Sequence, residues 1–302
     1  MRSRVTFFVC AIAAVILALG LAAHTQGQTM APPAAESDAV ALMAMADLER
    51  DHAGEARKRL HLLATRGPGW GLAFRWDAFA DGTVNPRSTV YSYTTAMVGL
   101  AFADAYARTR DHRYLAEARA AANELAGPGL CCWRDGRAAG VWYSDQPSDH
   151  QAAYRVYNVS GLTLALLSRL RGHRELAAEL RRGLLDARTV DGWPYMSGAT
   201  TPNDLIHAAF IVVGLYAAGA KRAARAEMSR LWNAALPAGQ PQSGASTWGS
   251  SGWGPSAGLW ALVETGECRR AAELELNLTR PQNDRAAAWY MMARATFRRV
   301  CG

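Results

Sequence analysis

Asp204 and His207 stand three residues apart where a long apolar run begins, in the segment Asp204-Leu205-Ile206-His207. At that spacing on a helix the two side chains share a face, and a carboxylate beside an imidazole is equipped for proton transfer. Tyr157-Asn158 interrupts a second apolar run, and Asp145 and Asp149 flank Pro147 just before it. These five positions, Asp204, His207, Tyr157, Asn158 and Asp145, are the candidate catalytic groups. Trp76, Asp77, Arg87, Tyr93, Trp142, Asp149, Trp193, Trp248 and Trp253 surround them as candidate substrate contacts. Sugars offer flat C–H faces that stack on aromatic rings, and their hydroxyls need Asp, Asn and Arg partners. Hydrolysis of a glycoside uses two carboxyl groups several ångströms apart, and Asp77, Asp81, Asp145, Asp149 and Asp204 supply them. Elimination or epimerisation at a uronate uses a Tyr or His base with Asn, Arg or His neutralising the acid. Tyr157, Asn158, His207, Arg75 and Arg87 meet that need, so the residue types leave both reactions open.

Each candidate also has a purely structural reading. Thr201-Pro202-Asn203-Asp204 is a capping-box pattern with Pro at the first helical position, which accounts for Asp204 without catalysis. His207 has no such account on an apolar helix, beyond a hydrogen-bonded place in the core. A buried Asn158 would need partners of its own. Asp145 and Asp149 lie at a helix start, where the helix dipole favours carboxylates. Loop tryptophans can also turn inward and plug a core.

The elements that hold these residues alternate in character. Predicted helices cover 38–64, 87–108, 112–126, 148–171, 173–188, 202–218, 221–236, 255–265, 268–278 and 284–300, with limits set by periodicity and by start and stop residues. No period-2 strand pattern is evident. Helices apolar all round must be buried, whereas helices with one charged face border solvent. Long loops (65–86, 127–147, 189–201 and 237–254) lead into the apolar helices. The returns to charged helices are one or two residues, near 109–110, 172, 219–220 and 266–267. A stack of hairpins therefore carries every long loop on one face. Eight of the ten tryptophans fall in or just after those loops, which makes that face the working surface. The pairs Gly99-Leu100, Gly161-Leu162, Gly214-Leu215 and Gly258-Leu259 recur on the apolar helices, where glycine permits close approach despite a cost of about 1 kcal/mol relative to Ala. The expected fold is all-α, an α/α toroid of about five hairpins over 31–302.

Residues 1–30 stand apart. Arg2 and Arg4 precede an unbroken apolar run from Val5 to Ala23. That is the order of a secretory signal, and its length is close to that of an N-terminal membrane anchor. The expected location is periplasmic or secreted, with membrane contact only through that segment if it is retained. Formal charge is +7, and setting Arg2 and Arg4 aside leaves +5. The basic residues concentrate on the charged helices, which read as solvated outer faces, and export argues against a nucleic-acid partner. Cys131, Cys132, Cys268 and Cys301 remain in the mature chain, and an oxidising compartment favours disulfides. Cys268 and Cys301 fall on adjacent final helices and are the preferred pair. Cys131-Cys132 has no Cys-x-x-Cys partner and no histidine at metal spacing, so neither zinc nor any cofactor is expected.

The combination of Trp142-Tyr143-Ser144-Asp145, Tyr157-Asn158 and Asp204-x-x-His207 on alternating helices resembles secreted α/α-toroid proteins of polysaccharide assembly and breakdown. The nearest likeness is to exopolysaccharide-biosynthesis proteins, with glucuronyl epimerases, uronate lyases and six-hairpin glycosidases more distant. The resemblance covers about residues 60–300 and implies a polysaccharide or oligosaccharide ligand. An exported enzyme that cleaves or modifies a glycan chain is the first expectation; a non-catalytic glycan-binding or assembly protein is the second. Terpene cyclases share the broad fold, but the chain lacks an Asp-x-Asp-Asp motif.

Overall fold

The computed structural model describes residues 36–198, 203–233 and 252–302. Eleven α-helices occur among the described residues: α1 (Ser37–Glu49), α2 (Ala53–Ala64), α3 (Ser92–Thr109), α4 (His112–Ala126), α5 (Asn158–Leu170), α6 (Arg174–Asp186), α7 (Leu205–Ala217), α8 (Lys221–Asn233), α9 (Trp253–Glu264), α10 (Cys268–Asn277) and α11 (Asp284–Val300). The odd-numbered helices form a closed ring. Helix α1 packs on α3, α3 on α5, α5 on α7, α7 on α9, α9 on α11, and α11 returns to α1. The even-numbered helices stand outside it, which makes the chain an α/α toroid. Burial follows the apolar pattern. Every residue of α7 from Ala208 to Leu215 is buried, whereas α6 buries only Leu180, Gly183 and Leu184.

Two expectations need correction. The segment 38–64 is two helices, because Arg50, Asp51 and His52 fold back on the end of α1. Asp51 takes a left-handed conformation (φ 59°), and the N–H of His52 donates to the Asp47 carbonyl at 2.8 Å. Among the described residues the ring therefore has six inner helices and five outer ones. A β-hairpin is also present: β1 (Cys131–Asp135) pairs antiparallel with β2 (Ala138–Val141) around Gly136. These strands are too short, and β2 too poor in branched residues, to register as alternation.

The helix starts are shifted but recognisable. Residues 147–154 form short 3-10 turns ahead of α5, and Asp111 and Asn283 cap α4 and α11 through their side chains. The disulfide Cys268–Cys301 forms as expected, with Cα atoms 5.3 Å apart, and Cys131 and Cys132 are bonded to each other. Residues 1–30 and Trp248 lie outside the described residues.

At the end of the ring away from the long loops, Arg169 of α5 bridges Asp104 of α3 at 2.5 Å and Glu264 of α9 at 3.1 Å. Glu49 of α1 is gripped there by Arg108 and Arg299. The tightest inner crossing is α5 on α7. A Cβ on Gly161 would meet the Phe210 carbonyl oxygen and the Ile211 Cα, each at 2.6 Å. Overpacking a core in this way costs about 1–3 kcal/mol, so Gly161→Ala should lower the denaturant midpoint accordingly. Gly172→Ala, whose new Cβ meets nothing within 4 Å, should stay within about 0.5 kcal/mol of the parent. Chemical denaturation of both variants checks the pair.

Candidate active site

Each short return carries an inner helix into an outer one, so all inner helices run in the same direction. Their N-termini, and the long loops that feed them, meet at one mouth. Helix N-termini carry partial positive charge and favour carboxylates, and two inner helices use this: Asp38 in the first turn of α1 and Asp204 as the N-cap of α7.

Arg285, in the first turn of α11, is the hub of the mouth. Its Nε lies 2.5 Å from Asp38 and 3.3 Å from Glu36, and its guanidinium sits 4.5 Å from the Trp253 ring and 5.3 Å from the Tyr93 ring. Burial raises the Glu36 carboxyl above its ordinary range, and Asp38 adds to that rise while Arg285 opposes it. Asp38 Oδ1 has no hydrogen-bond donor. Below the arginine, Trp289 Nε1 donates to the Tyr93 hydroxyl at 3.2 Å, and Phe210 is stacked between Tyr93 and Trp289 with centroids at 5.7 and 5.6 Å.

On the α7 side the sequence-predicted pair is in direct contact. His207 Nδ1 lies 2.7 and 2.6 Å from the two Asp204 oxygens, and the His207 backbone N–H donates to Asp204 Oδ1 at 2.9 Å. Asp204 is thus both helix cap and histidine partner. It caps as the N-cap residue itself, whereas the capping-box pattern put it at the third helical position, so α7 starts three residues later than that pattern implied. Although partial burial opposes it, the hydrogen bonds and charge of His207 hold the Asp204 carboxyl below its ordinary value. Its side chain is 59% exposed and that of His207 24%, so the pair is reachable from solvent. Tyr195 meets the imidazole edge-on at 4.9 Å.

The first two long loops form the opposite wall. Trp76 packs against Tyr91 at 5.3 Å and Tyr143 at 5.9 Å, and Phe79 lies against Tyr143 at 5.2 Å and stacks on Tyr154 at 4.1 Å. Burial pushes the Tyr91 and Tyr195 phenols up to about 12 and raises Tyr93, Tyr143 and Tyr157 as well. These tyrosines are therefore hydrogen-bonding groups at neutral pH, which counts against Tyr157 as a base.

Several candidates turn out to support the loops. Asp149 is buried and accepts from Asn85 Nδ2 at 2.8 Å and Ser144 Oγ at 2.5 Å. Asp145 accepts from the Val90 N–H at 3.2 Å and from Gln146 Nε2 at 2.8 Å, fastening the second loop to the start of α3. Asp77 accepts the N–H of Gly82 at 2.9 Å and closes a turn. Trp193 is not a platform but a plug: it is fully buried, with Nε1 donating to the Leu184 carbonyl at 2.5 Å. Tyr93 is likewise buried, in the wall beneath Arg285. Tyr157 is buried against Trp133 at 5.6 Å, and Asn158 is buried with Oδ1 lacking a partner. Among the described residues, neither Tyr157 nor Asn158 makes a hydrogen bond or ring contact with the Asp204–His207 pair. Trp142 is half-buried and stacks on His150 at 4.8 Å, Trp76 and Trp253 are half-buried, and Arg87 is exposed. Sequence reasoning missed Glu36, Asp38 and Arg285. The signal available was a charged residue at the start of two apolar inner helices.

No protein-family profile matches the chain, and no curated protein sequence matches it. Solved structures do share its fold. An inactive α-1,6-mannanase variant of Salegentibacter, determined with α-1,6-mannotetrose and with two adjacent aspartates replaced by alanine, superposes with a TM-score of 0.56 at 12% identity, over 90% of this chain and 91% of that one. A family 8 endoglucanase of Klebsiella pneumoniae gives 0.55 at 12% identity over 87% and 91%. A sugar epimerase from a ruminal bacterium gives 0.53 at 10% identity over 88% and 86%. This chain has no two adjacent aspartates.

Asn caps helices about as well as Asp, and Ala costs about 1 kcal/mol. Asp204→Asn should therefore keep the melting temperature near that of the parent, and Asp204→Ala should lower it; calorimetry distinguishes the two. The Glu36 carboxyl holds its proton more tightly in the native chain than at its ordinary value of 4.5. Its contribution to stability is full below that value and is lost as pH rises through the native one. Glu36→Gln should flatten this arm of a stability–pH curve. Asp204 acts in the opposite sense, losing its contribution as pH falls through its lowered value.

Proposed function

We propose that the chain is an exported enzyme that cleaves a glycan at the mouth of the toroid. The observation that carries this reading is a pair of carboxyl groups whose surroundings push their proton affinities apart. His207 holds the Asp204 carboxyl below its ordinary value, and burial raises that of Glu36 above its own. Such divergence is the pattern by which acid and base roles are divided between two carboxyls. In the reaction Glu36 gives its proton to the glycosidic oxygen as the anomeric C–O bond breaks. Asp204 takes a proton from the water whose oxygen joins the anomeric carbon. Trp253, Trp76 and Tyr143 supply ring faces, and Tyr195 is a neutral hydrogen-bond donor beside the base. Oligosaccharide as ligand agrees with the mannotetrose held by the mannanase of the same fold.

Export is supported by the apolar run after Arg2 and Arg4 and by the Cys268–Cys301 bond, since disulfides persist in oxidising compartments. One observation favours a second reading within carbohydrate chemistry. Both oxygens of Asp204 engage His207 Nδ1, which leaves Nε2 as the free nitrogen of an oriented base, as proton abstraction in an epimerase or lyase would use.

Incubating the mature protein with neutral and uronic polysaccharides, while reading reducing ends and unsaturated-uronate absorbance, tests both. Hydrolysis predicts new reducing ends, lost by about a hundredfold or more in both Asp204→Asn and Glu36→Gln. Activity that survives Glu36→Gln but not His207→Ala transfers the assignment to the second reading. Tight binding of one glycan with no product from any would mean an assembly or binding protein instead.

A further inference from the structure

The short returns all lie at the end of the ring opposite the mouth. Three of them, α3–α4, α5–α6 and α7–α8, are consecutive corners, because α3 packs on α5 and α5 on α7. These corners carry five exposed cations that make no ion pair among the described residues: Arg110, Arg171, Arg174, Lys221 and Arg222. Acids there are fewer. Arg113 holds Asp111 at 2.6 Å and Arg169 holds Asp104 at 2.5 Å, which leaves Glu175. The remaining corners hold acid and base together: Glu267 with Arg270 at 3.5 Å, Asp47 with Arg59 at 2.8 Å, and Glu49 with Arg108 and Arg299. Residues 1–35, 199–202 and 234–251 contain no Asp or Glu, so they bring no carboxylate side chain to neutralise the five cations.

Local stability does not account for these cations. Arg174 opens α6, and Lys221 and Arg222 open α8, where a positive side chain opposes the helix dipole. Arg110 and Arg171 end α3 and α5, where the dipole favours a cation, but both hold left-handed backbone (φ 60° and 53°). Glycine takes that conformation far more readily, and past the end of α7 the left-handed residue is Gly219 (φ 82°). Two half-buried tyrosines stand at the same end. The Arg110 guanidinium lies 6.0 Å from the Tyr106 ring, and the Lys221 ammonium 5.2 Å from the Tyr216 ring. A tyrosine beside a cation suits the headgroup level of a bilayer, where an apolar ring and a polar tip each find their medium. That favours a lipid surface over a soluble polyanion.

From unpaired cations held against local preference, with tyrosines beside them, we infer that these three corners dock on an anionic phospholipid surface. Lipid phosphates meet the five cations, and Tyr106 and Tyr216 stand at headgroup level. Docking turns the mouth, at the opposite end of the ring, away from the bilayer. The inference is independent of the chemistry at the mouth.

The test is the full chain labelled with an environment-sensitive fluorophore and mixed with vesicles of phosphatidylglycerol or phosphatidylcholine. One label goes at position 217, exposed at the end of α7, and a second protein carries it at position 84, exposed in the first long loop. The second label separates docking from any insertion of the apolar run 5–23. Emission at 217 should shift to the blue on phosphatidylglycerol and not on phosphatidylcholine, and position 84 should not respond. The shift should fade as salt rises. The triple variant Arg110→Gly/Arg171→Gly/Arg222→Glu should weaken vesicle binding about a hundredfold with no fall in melting temperature. No shift at 217, an equal shift on both lipids, or a shift that survives in the triple variant overturns the inference. A lower melting temperature in that variant would mean that the cations serve the fold, and overturns it too. So does a soluble polyuronate that binds these corners while the vesicles leave them untouched, which would give the cations to a polysaccharide.

Discussion

The contact on which the site geometry depends is the buried cluster of Arg285 with Asp38 and Glu36. It joins the last inner helix to the first, across 247 residues of sequence between Asp38 and Arg285, at the end of the ring where the long loops converge. A guanidinium with two carboxyl groups in a buried setting is expensive to desolvate, and removing the arginine's ionised partner strands it at a cost of about 3–5 kcal/mol. The cluster therefore specifies how α11 meets α1 more than it adds stability. Arg285 also lies over Tyr93 of α3 and Trp253 of α9, so this one side chain of α11 touches three other inner helices. At the opposite end Glu49, held by Arg108 and Arg299, closes the same seam. Between these two clasps the packing is almost wholly apolar.

The direction of the inner helices also bears on where charged groups lie. The chain is basic as a whole, yet carboxylates gather at the mouth because six helix N-termini point there. Arginines gather where helices end, as at Arg108, Arg169 and Arg299. The carboxylates Asp38 and Asp204 at the mouth follow from the common direction of the inner helices, whereas at the far end Arg108, Arg169 and Arg299 are matched by Glu49, Asp104 and Glu264. The vicinal Cys131–Cys132 bond and the β-hairpin it opens stiffen the second loop. That loop then passes Trp142, Tyr143 and Asp145 to the mouth and is fastened to α3 where Ser92 Oγ donates to the Trp142 carbonyl at 2.6 Å.

Much of this was legible from apolar periodicity, because a helix buried on all sides and a helix with one wet face leave different patterns. The closed all-helical ring and the face bearing the loops came from that contrast alone. The break after Glu49 did not, since 38–64 keeps helical periodicity through it and the deciding event is one left-handed residue, Asp51. Reading through the break hid the sixth inner helix, and with it the reason for Asp38 to lie at the mouth. Glu36 was hidden by its neighbours, a Pro- and Ala-rich stretch that reads as linker. The Asp204–His207 pair was visible because its contact is local, three residues along one helix. Whether a loop tryptophan faces a ligand or the core is decided by distant parts of the chain. Trp193 finds the Leu184 carbonyl and is buried, and Trp253 stays half-exposed beneath Arg285.

The central claim is that the inner-helix mouth, organised by Arg285 and carrying Asp204, is the working surface. The most direct measurement is a crystal structure of the Asp204→Asn protein soaked with a glycan oligosaccharide drawn from whichever polysaccharide the parent degrades or binds. The account predicts a sugar ring stacked on Trp253, Trp76 or Tyr143, with a glycosidic linkage within hydrogen-bond reach of position 204. A sugar seated outside the mouth, with Trp253 and position 204 untouched, would contradict it.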